Sequence, residues 1–270
     1  MDWRIWGFLS QSARDDYAER ARESRKRVAV RYCEDWHEDK TKFNKCLSLR
    51  GATYDVSRYR LFDSPPCRDS PRSSTEVTGM VSSPSGRYWY ANRALRAFDE
   101  LDLFQGHRRG EVFFDTEVVI PALYEYARSD FRVWMGISPA EMMSQRAGVR
   151  AAKGHVLVGG LGLGWLLWKV ADKKSVTKIT LVEKSQELLD WYGTDLCRRV
   201  ATTTNTEIEV ICDDVLHHIG AHGDDVRHLI DIWPTFPTYV LDLPQVWQDA
   251  IGKVKHFWGW VVLAEPARFI

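Results

Sequence analysis

Hydrophobic and polar positions in this chain change their period several times. From residue 9 to about 38, Ala13, Tyr17, Ala21, Ser24, Val28, Tyr32 and Trp36 recur at helical spacing among Arg, Glu, Asp and Lys. The pattern predicts one long charged helix, solvated on most sides and leaning on the body or on a second subunit. Residues 62–86, FDSPPCRDSPRSSTEVTGMVSSPSG, lose the apolar period and fill with Ser, Pro and Gly, which predicts a loop or linker. Residues 87–110 turn aromatic and then amphipathic. Leu95, Phe98, Leu101 and Leu103 predict a short helix and then an extended piece, and Tyr88, Trp89 and Tyr90 read first as core. Val112 to Val119 predicts a strand, or a strand running into a helix with Pro121 in its first turn. Phe131 to Ile137 predicts another strand. Ser138, Pro139 and Glu141 then spell a helix start, with Ser138 as cap and Glu141 completing a capping box, and the helix runs to about Ala152.

Beyond Gly154 the pattern becomes a regular alternation. His155–Val158 predicts a strand, Trp165–Val170 a helix, Lys178–Val182 a strand and Gln186–Val200 a helix. Glu207–Cys212 and His228–Ile232 predict two more strands, Leu243 to about Lys255 a helix, and Gly259–Ala264 a fifth strand. Alternating strands and helices predict an α/β fold, a doubly wound and mostly parallel sheet with strand order 3-2-1-4-5. A ligand in such a sheet sits beyond the C-terminal strand ends, where the order reverses.

The junction after the first of these strands carries the clearest chemistry. Its glycines, Gly160-Leu-Gly162-Leu-Gly164, let the backbone turn tightly and let a ligand approach without a Cβ in the way. Trp165 stands where a dinucleotide fingerprint has its third glycine, which argues against an NAD site. Glu183, 23 residues after Gly160, closes the second strand, where a carboxylate can accept two hydrogen bonds from a ribose diol. G-x-G-x-G followed by this acid resembles the first two motifs of the class I S-adenosylmethionine-dependent methyltransferases, over about Lys153 to Glu265. The resemblance implies a Rossmann-like core that binds S-adenosylmethionine and releases S-adenosylhomocysteine. Gly160, Gly162 and Gly164 would cradle the methionine part and Glu183 the ribose. Asp214, with Asp213 second, would accept from the adenine amino group, and Val215 would pack on the ring. Asp231, at the tip of the fourth strand, would face the acceptor and help with acid/base work. Two departures stand out: Lys184 replaces an often apolar residue, and the two strands that normally follow the fifth are missing. Either the sheet is short, or N-terminal strands such as 112–119 and 131–137 complete its edge, or the chain is trimmed, and an uncovered edge would also favour dimerisation.

The implied organisation is a charged helical region at 1–61, a Ser/Pro-rich loop at 62–86, an α+β lead-in at 87–152 and the cofactor-binding core at 153–270, with the N-terminal part mostly helical. Charge is balanced, 37 basic against 37 acidic residues, which gives no global reason to expect nucleic acid or an anionic membrane. Five scattered cysteines without a C-x-x-C pair fit a reducing cytoplasm, and no apolar run is long enough to span a bilayer. Cys33, His37 and Cys46 match no common zinc finger, so no metal is expected. Two rival functions remain open beside methyl transfer to an unnamed acceptor. One is aminopropyl transfer, from a looser similarity to the polyamine synthases; it needs a second acid, and the Asp231-Ile-Trp-Pro segment offers none. The other is a non-catalytic scaffold that keeps the nucleotide fold.

Overall fold

A computed structural model describes residues 11–27, 32–33, 48–67, 79–99, 113–127, 130–223, 225–232, 238–239, 244–259 and 261–262. In chain order the elements are α1 (Gln11–Arg27), β1 (Tyr32–Cys33), β2 (Ser48–Leu49), β3 (Met80–Ser82), β4 (Tyr88–Leu95), β5 (Phe113–Phe114), β6 (Val118–Ala127) and β7 (Asp130–Gly136). They continue with α2 (Pro139–Ala151), β8 (Gly154–Gly159), α3 (Trp165–Ala171), β9 (Val176–Glu183), α4 (Gln186–Leu188), a π-helical turn (Leu189–Gly193) and α5 (Thr194–Thr204). The last are β10 (Glu207–Cys212), β11 (Arg227–Ile230), β12 (Thr238–Tyr239), α6 (Gln245–Gly252), β13 (Phe257–Gly259) and β14 (Val261–Val262).

These residues fall into two compact units, one from 1–55 with 94–119, the other from 56–93 with 120–270. In the first, β1, β2 and β5 form a parallel three-stranded sheet, and the Asp115 carboxylate accepts from the Gly51 N–H (2.8 Å) and pairs with Arg50 (3.2 Å). Arg22 of α1, almost buried, bridges Glu19 and Asp99. The region expected to be mostly helical thus carries strands as well, because its short β-branched and aromatic runs find partners distant in sequence.

The second unit is mixed α/β. Its five-stranded sheet is wholly parallel and runs β10-β9-β8-β11-β13, the order expected for third, second, first, fourth and fifth strands. Val156, Leu157, Val158, Ile179, Leu181, Leu229 and Ile230 are nearly inaccessible, as strands covered on both faces require. The α3 helix is buried all round, with Trp165, Leu166, Leu167, Trp168, Val170 and Ala171 in the interior. Arg58 holds the 56–67 segment to it, stacked 3.8 Å over Trp168 and paired with Asp172 (2.6 and 2.9 Å).

A separate antiparallel sheet, β3-β4-β6-β7, precedes the parallel one in sequence. It corrects three expectations. Leu95, expected to open a short helix, instead ends a strand, since Tyr88, Tyr90, Asn92 and Ala94 alternate into the interior at period two. Pro121 lies inside β6, where the ladder to β7 begins one residue later at Ala122, so its missing N–H breaks no pair. Consequently β6 and β7 do not extend the parallel sheet, and neither does β5. The fifth parallel strand starts earlier than expected, at Phe257, and Val261–Val262 leave it to pair with β12. Tyr90 is core, its hydroxyl donating to Asn92 (2.7 Å). Leu101, Leu103, His37, Cys46, Trp233, Pro234 and Leu243 lie outside the described residues. Among the described residues no helix is long and apolar enough to cross a membrane.

Candidate functional site

The parallel sheet changes direction between β8 and β11, so the loops leaving these two neighbours meet. The β8 loop is forced by its glycines. Gly160, Gly162 and Gly164 have φ of +90°, +49° and +79°, the left-handed region that costs other residues about 1–2 kcal/mol. The space is taken as well. A Cβ on Gly160 would stand 2.9 Å from the Asp231 carbonyl, one on Gly162 would strike the Met135 sulfur, and one on Gly164 would lie 2.5 Å from Leu196 Cδ2. Gly160→Ala is therefore expected to lower stability by about 2–3 kcal/mol, since the atom it strikes is backbone. Chemical denaturation checks this, and a wild-type midpoint would contradict the loop geometry.

Glu183 closes the loop from the tip of β9. Its Oε2 accepts from the Leu161 N–H (2.8 Å) and its Oε1 from the Ser185 N–H (2.8 Å), with only 9% of the residue exposed. From the other side the Tyr192 hydroxyl donates to Gly162 O (2.6 Å). The Met135 sulfur, carried by β7, accepts from the Leu163 N–H (3.0 Å). A thioether of the chain itself is thus seated against the glycine loop, which sequence reasoning did not foresee.

At the tip of β10 the two aspartates divide. Asp214 caps the following 3-10 turn (Val215–His217) by accepting from the Leu216 N–H (3.0 Å), and it pairs with Lys184 (2.9 Å). That lysine holds its carboxyl below the usual range. Asp213 accepts from the Asp214 N–H (2.7 Å) and bridges His217 and His218. The backbone N–H first, then His218 and His217, bring it down to about 2. Val215 is buried with Leu157, Val182, Val226 and Ile230, directly beneath Gly159.

Asp231 follows β11, and its N–H donates to Gly159 O (3.1 Å). Its side chain is not alone. The Gln145 Nε2 donates both to Asp231 Oδ2 (2.5 Å) and to Glu141 Oε1, which brings two carboxyls from separate segments together. Burial is the main cause that pushes Asp231 up to about 6. Burial and then the Asp231 charge push Glu141 well above the carboxylate range. Two buried carboxyls brought this close oppose each other's ionisation. Glu141 was expected to complete a capping box. Only half forms: Ser138 Oγ accepts from the Glu141 N–H (3.2 Å), while the Ser138 N–H goes to Gly136 O (2.7 Å) and the Glu141 carboxyl turns to Asp231.

No family model and no curated protein matches this chain. What the site can do therefore rests on its own geometry. Three consecutive strand tips, those of β8, β9 and β10, present a glycine turn and three carboxylates, and the β11 tip adds a paired carboxyl beside the turn. Such a row can hold a polar ligand lengthwise and set a proton acceptor near one end of it.

A second titrating group lies deeper in the sheet. His228 is 1% exposed, accepts at Nε2 from the Gly220 N–H (3.2 Å) and donates from Nδ1 to His256 O (3.3 Å). Those partners fix the neutral form, and burial lowers the affinity of both His228 and His155 for protons. The unfolded chain therefore takes up these protons first. Their contribution to stability is complete above about pH 6.5 and declines as pH falls below it. The Asp231–Glu141 pair acts in the opposite direction, so the decline should be seen most cleanly in an Asp231→Asn background. A thermal midpoint unchanged between pH 8 and pH 5 in that background would contradict it.

Proposed function

We propose that this protein is an S-adenosylmethionine-dependent transferase, most simply a methyltransferase, with the cofactor lying along the β8, β9 and β10 tips. The observation that carries this reading is the left-handed glycine turn closed by Glu183 at the tip of the adjacent strand. Strand order and acid positions agree with the class I methyltransferases named above. In this reading the glycine turn faces the methionine part of the cofactor. Glu183 keeps unused lone pairs on both oxygens for a ribose diol, because each accepts only one backbone N–H. Asp214 would accept from the adenine amino group. Met135 must leave the turn for the methionine part to approach it. The bound cofactor supplies an electrophilic carbon. The chain contributes position, exclusion of water and, through Asp231, an acceptor for one proton.

Aminopropyl transfer is the second reading, and one observation favours it: Glu141 supplies beside Asp231 the second acid that the segment after β11 lacks. Calorimetric titration of the full chain with S-adenosylmethionine, S-adenosylhomocysteine, decarboxylated S-adenosylmethionine and NADH separates these. Micromolar binding of the first two with NADH silent supports methyl transfer. Preference for the decarboxylated compound moves the assignment to aminopropyl transfer. Silence from all four would overturn both and leave the turn as part of a scaffold.

A further inference from the structure

The starting end of the parallel sheet gathers positive charge. Arg227 and His256 come one residue before the paired His228 and Phe257, so they stand next to each other where β11 and β13 begin. Arg227 is only 8% exposed, yet it forms no ion pair among the described residues. A guanidinium so far removed from water is unfavourable unless an anion offsets the lost hydration. The neighbouring His256 Nδ1 is buried and has no hydrogen-bond partner among the described residues either. Both side chains line a partly open recess of about 10 Å³, bounded also by Ala151 at the end of α2 and by Trp258. Further cations act on the same place. Partial burial first, then Arg227, Lys255 and Lys153, lower the affinity of His256 for protons, and Asp225 opposes them. The negative end of α2 does not serve Arg227, because Lys173 answers it by donating to Val149 O (2.6 Å) and Arg150 O (2.8 Å).

We infer that Arg227, His256, Lys153 and Lys255 form a binding site for a phosphoryl group. The recess has room for about one water-sized atom. It therefore admits one oxygen of a tetrahedral oxyanion and leaves the rest of the group outside. That oxygen would accept from the Arg227 guanidinium and from His256 Nδ1 carrying its proton. The remaining oxygens would face solvent, where Lys153 and Lys255 are exposed. A carboxylate could also place an oxygen in the recess, but it brings a single charge and one further oxygen to three cations. A phosphomonoester brings a charge of about −1.5 to −2 and two further acceptor oxygens. A small phosphorylated compound and a nucleic-acid backbone both offer this chemistry. The site lies where the strands begin, whereas the glycine turn and its acids lie where they end. It therefore does not depend on the transferase reading, nor that reading on it.

The test titrates the full chain, in a chloride buffer of low ionic strength, with inorganic phosphate, methyl phosphate and a short oligouridylate. Calorimetry and the imidazole NMR signals of His256 follow the binding, and acetate is titrated in parallel. The expected result is saturable binding of inorganic phosphate, a shift of the His256 signals and no response to acetate at the same concentration. Arg227→Gln, which keeps N–H donors and removes the charge, should weaken phosphate binding at least about tenfold. Should that variant not fold, Lys153→Gln combined with Lys255→Gln alters only exposed side chains and should weaken it about threefold or more. Absence of saturable phosphate binding would overturn the inference, as would an equal response to acetate or full affinity in every folded variant. Methyl phosphate binding more tightly than the oligouridylate would support the site with a small phosphorylated compound as its source. The reverse order would support it with a nucleic-acid backbone as the source.

Discussion

Asp231→Asn is expected to gain up to about 3 kcal/mol of stability at pH 8 while losing about 100-fold or more in the turnover of the proposed transferase. The gain follows from the direction of the shift. The carboxyl titrates near 6 in the folded chain against 3.8 ordinarily, so the folded state holds the proton more tightly than the unfolded one. Its contribution is favourable below about pH 3.8 and is lost as pH rises through about 6, roughly two pH units at about 1.4 kcal/mol each. An asparagine has no charge to desolvate and keeps an oxygen for Gln145 Nε2. Denaturant midpoints of variant and wild type should therefore coincide near pH 4, part between pH 4 and 6, and stay apart above. No gap at pH 8 would mean that Asp231 is not held against Glu141 as described. Unchanged turnover would remove only its role as proton acceptor.

Glu183→Ala is expected to damage the fold as well as any cofactor binding. It deprives the Leu161 and Ser185 N–H groups of their acceptor in an almost buried place, at about 1–3 kcal/mol each, or about 2–6 kcal/mol together. Loss of cofactor binding alone would therefore be ambiguous. Glu183→Gln retains one acceptor oxygen and should lose less stability, while its amide still cannot accept both hydroxyls of a diol. A variant series in which cofactor affinity falls further than stability would identify Glu183 as a ligand to ribose. Affinity that tracks stability throughout would reduce it to a brace for the loop.

The parallel sheet was legible because its strands are apolar runs closed by glycines or acids, a pattern that survives without knowledge of partners. The glycine turn after β8 and the acid that ends β9 were legible as places in the fold for the same reason. Of the antiparallel sheet only β7 was, expected over 131–137 and found at Asp130–Gly136. The Tyr88–Leu95 stretch mixes aromatic, polar and helix-prone residues, and its period of two is decided by pairing with distant strands. Glu141 was placed on the correct helix turn but with its carboxyl facing the wrong way, because its choice between Ser138 and Asp231 depends on a residue 90 positions away. Met135 and Gln145 gave no signal at all. A methionine on a strand and a glutamine on a helix look ordinary until the sheet brings a loop and an acid to them.

The π-helical turn at Leu189–Gly193 is one residue too many for an α-helix. It places Gly193 so close to Leu161 that a Cβ there would stand 2.7 Å from Leu161 Cδ2, and it directs the Tyr192 hydroxyl onto Gly162. Removing a single residue from the turn would restore an ordinary helix and rotate everything on one side of it by about 100°. The tyrosine would then leave the loop although no contacting residue had been substituted. For this chain, sequence length between positions 189 and 193 carries as much information about the site as the side chains do, and insertions or deletions there matter more than replacements.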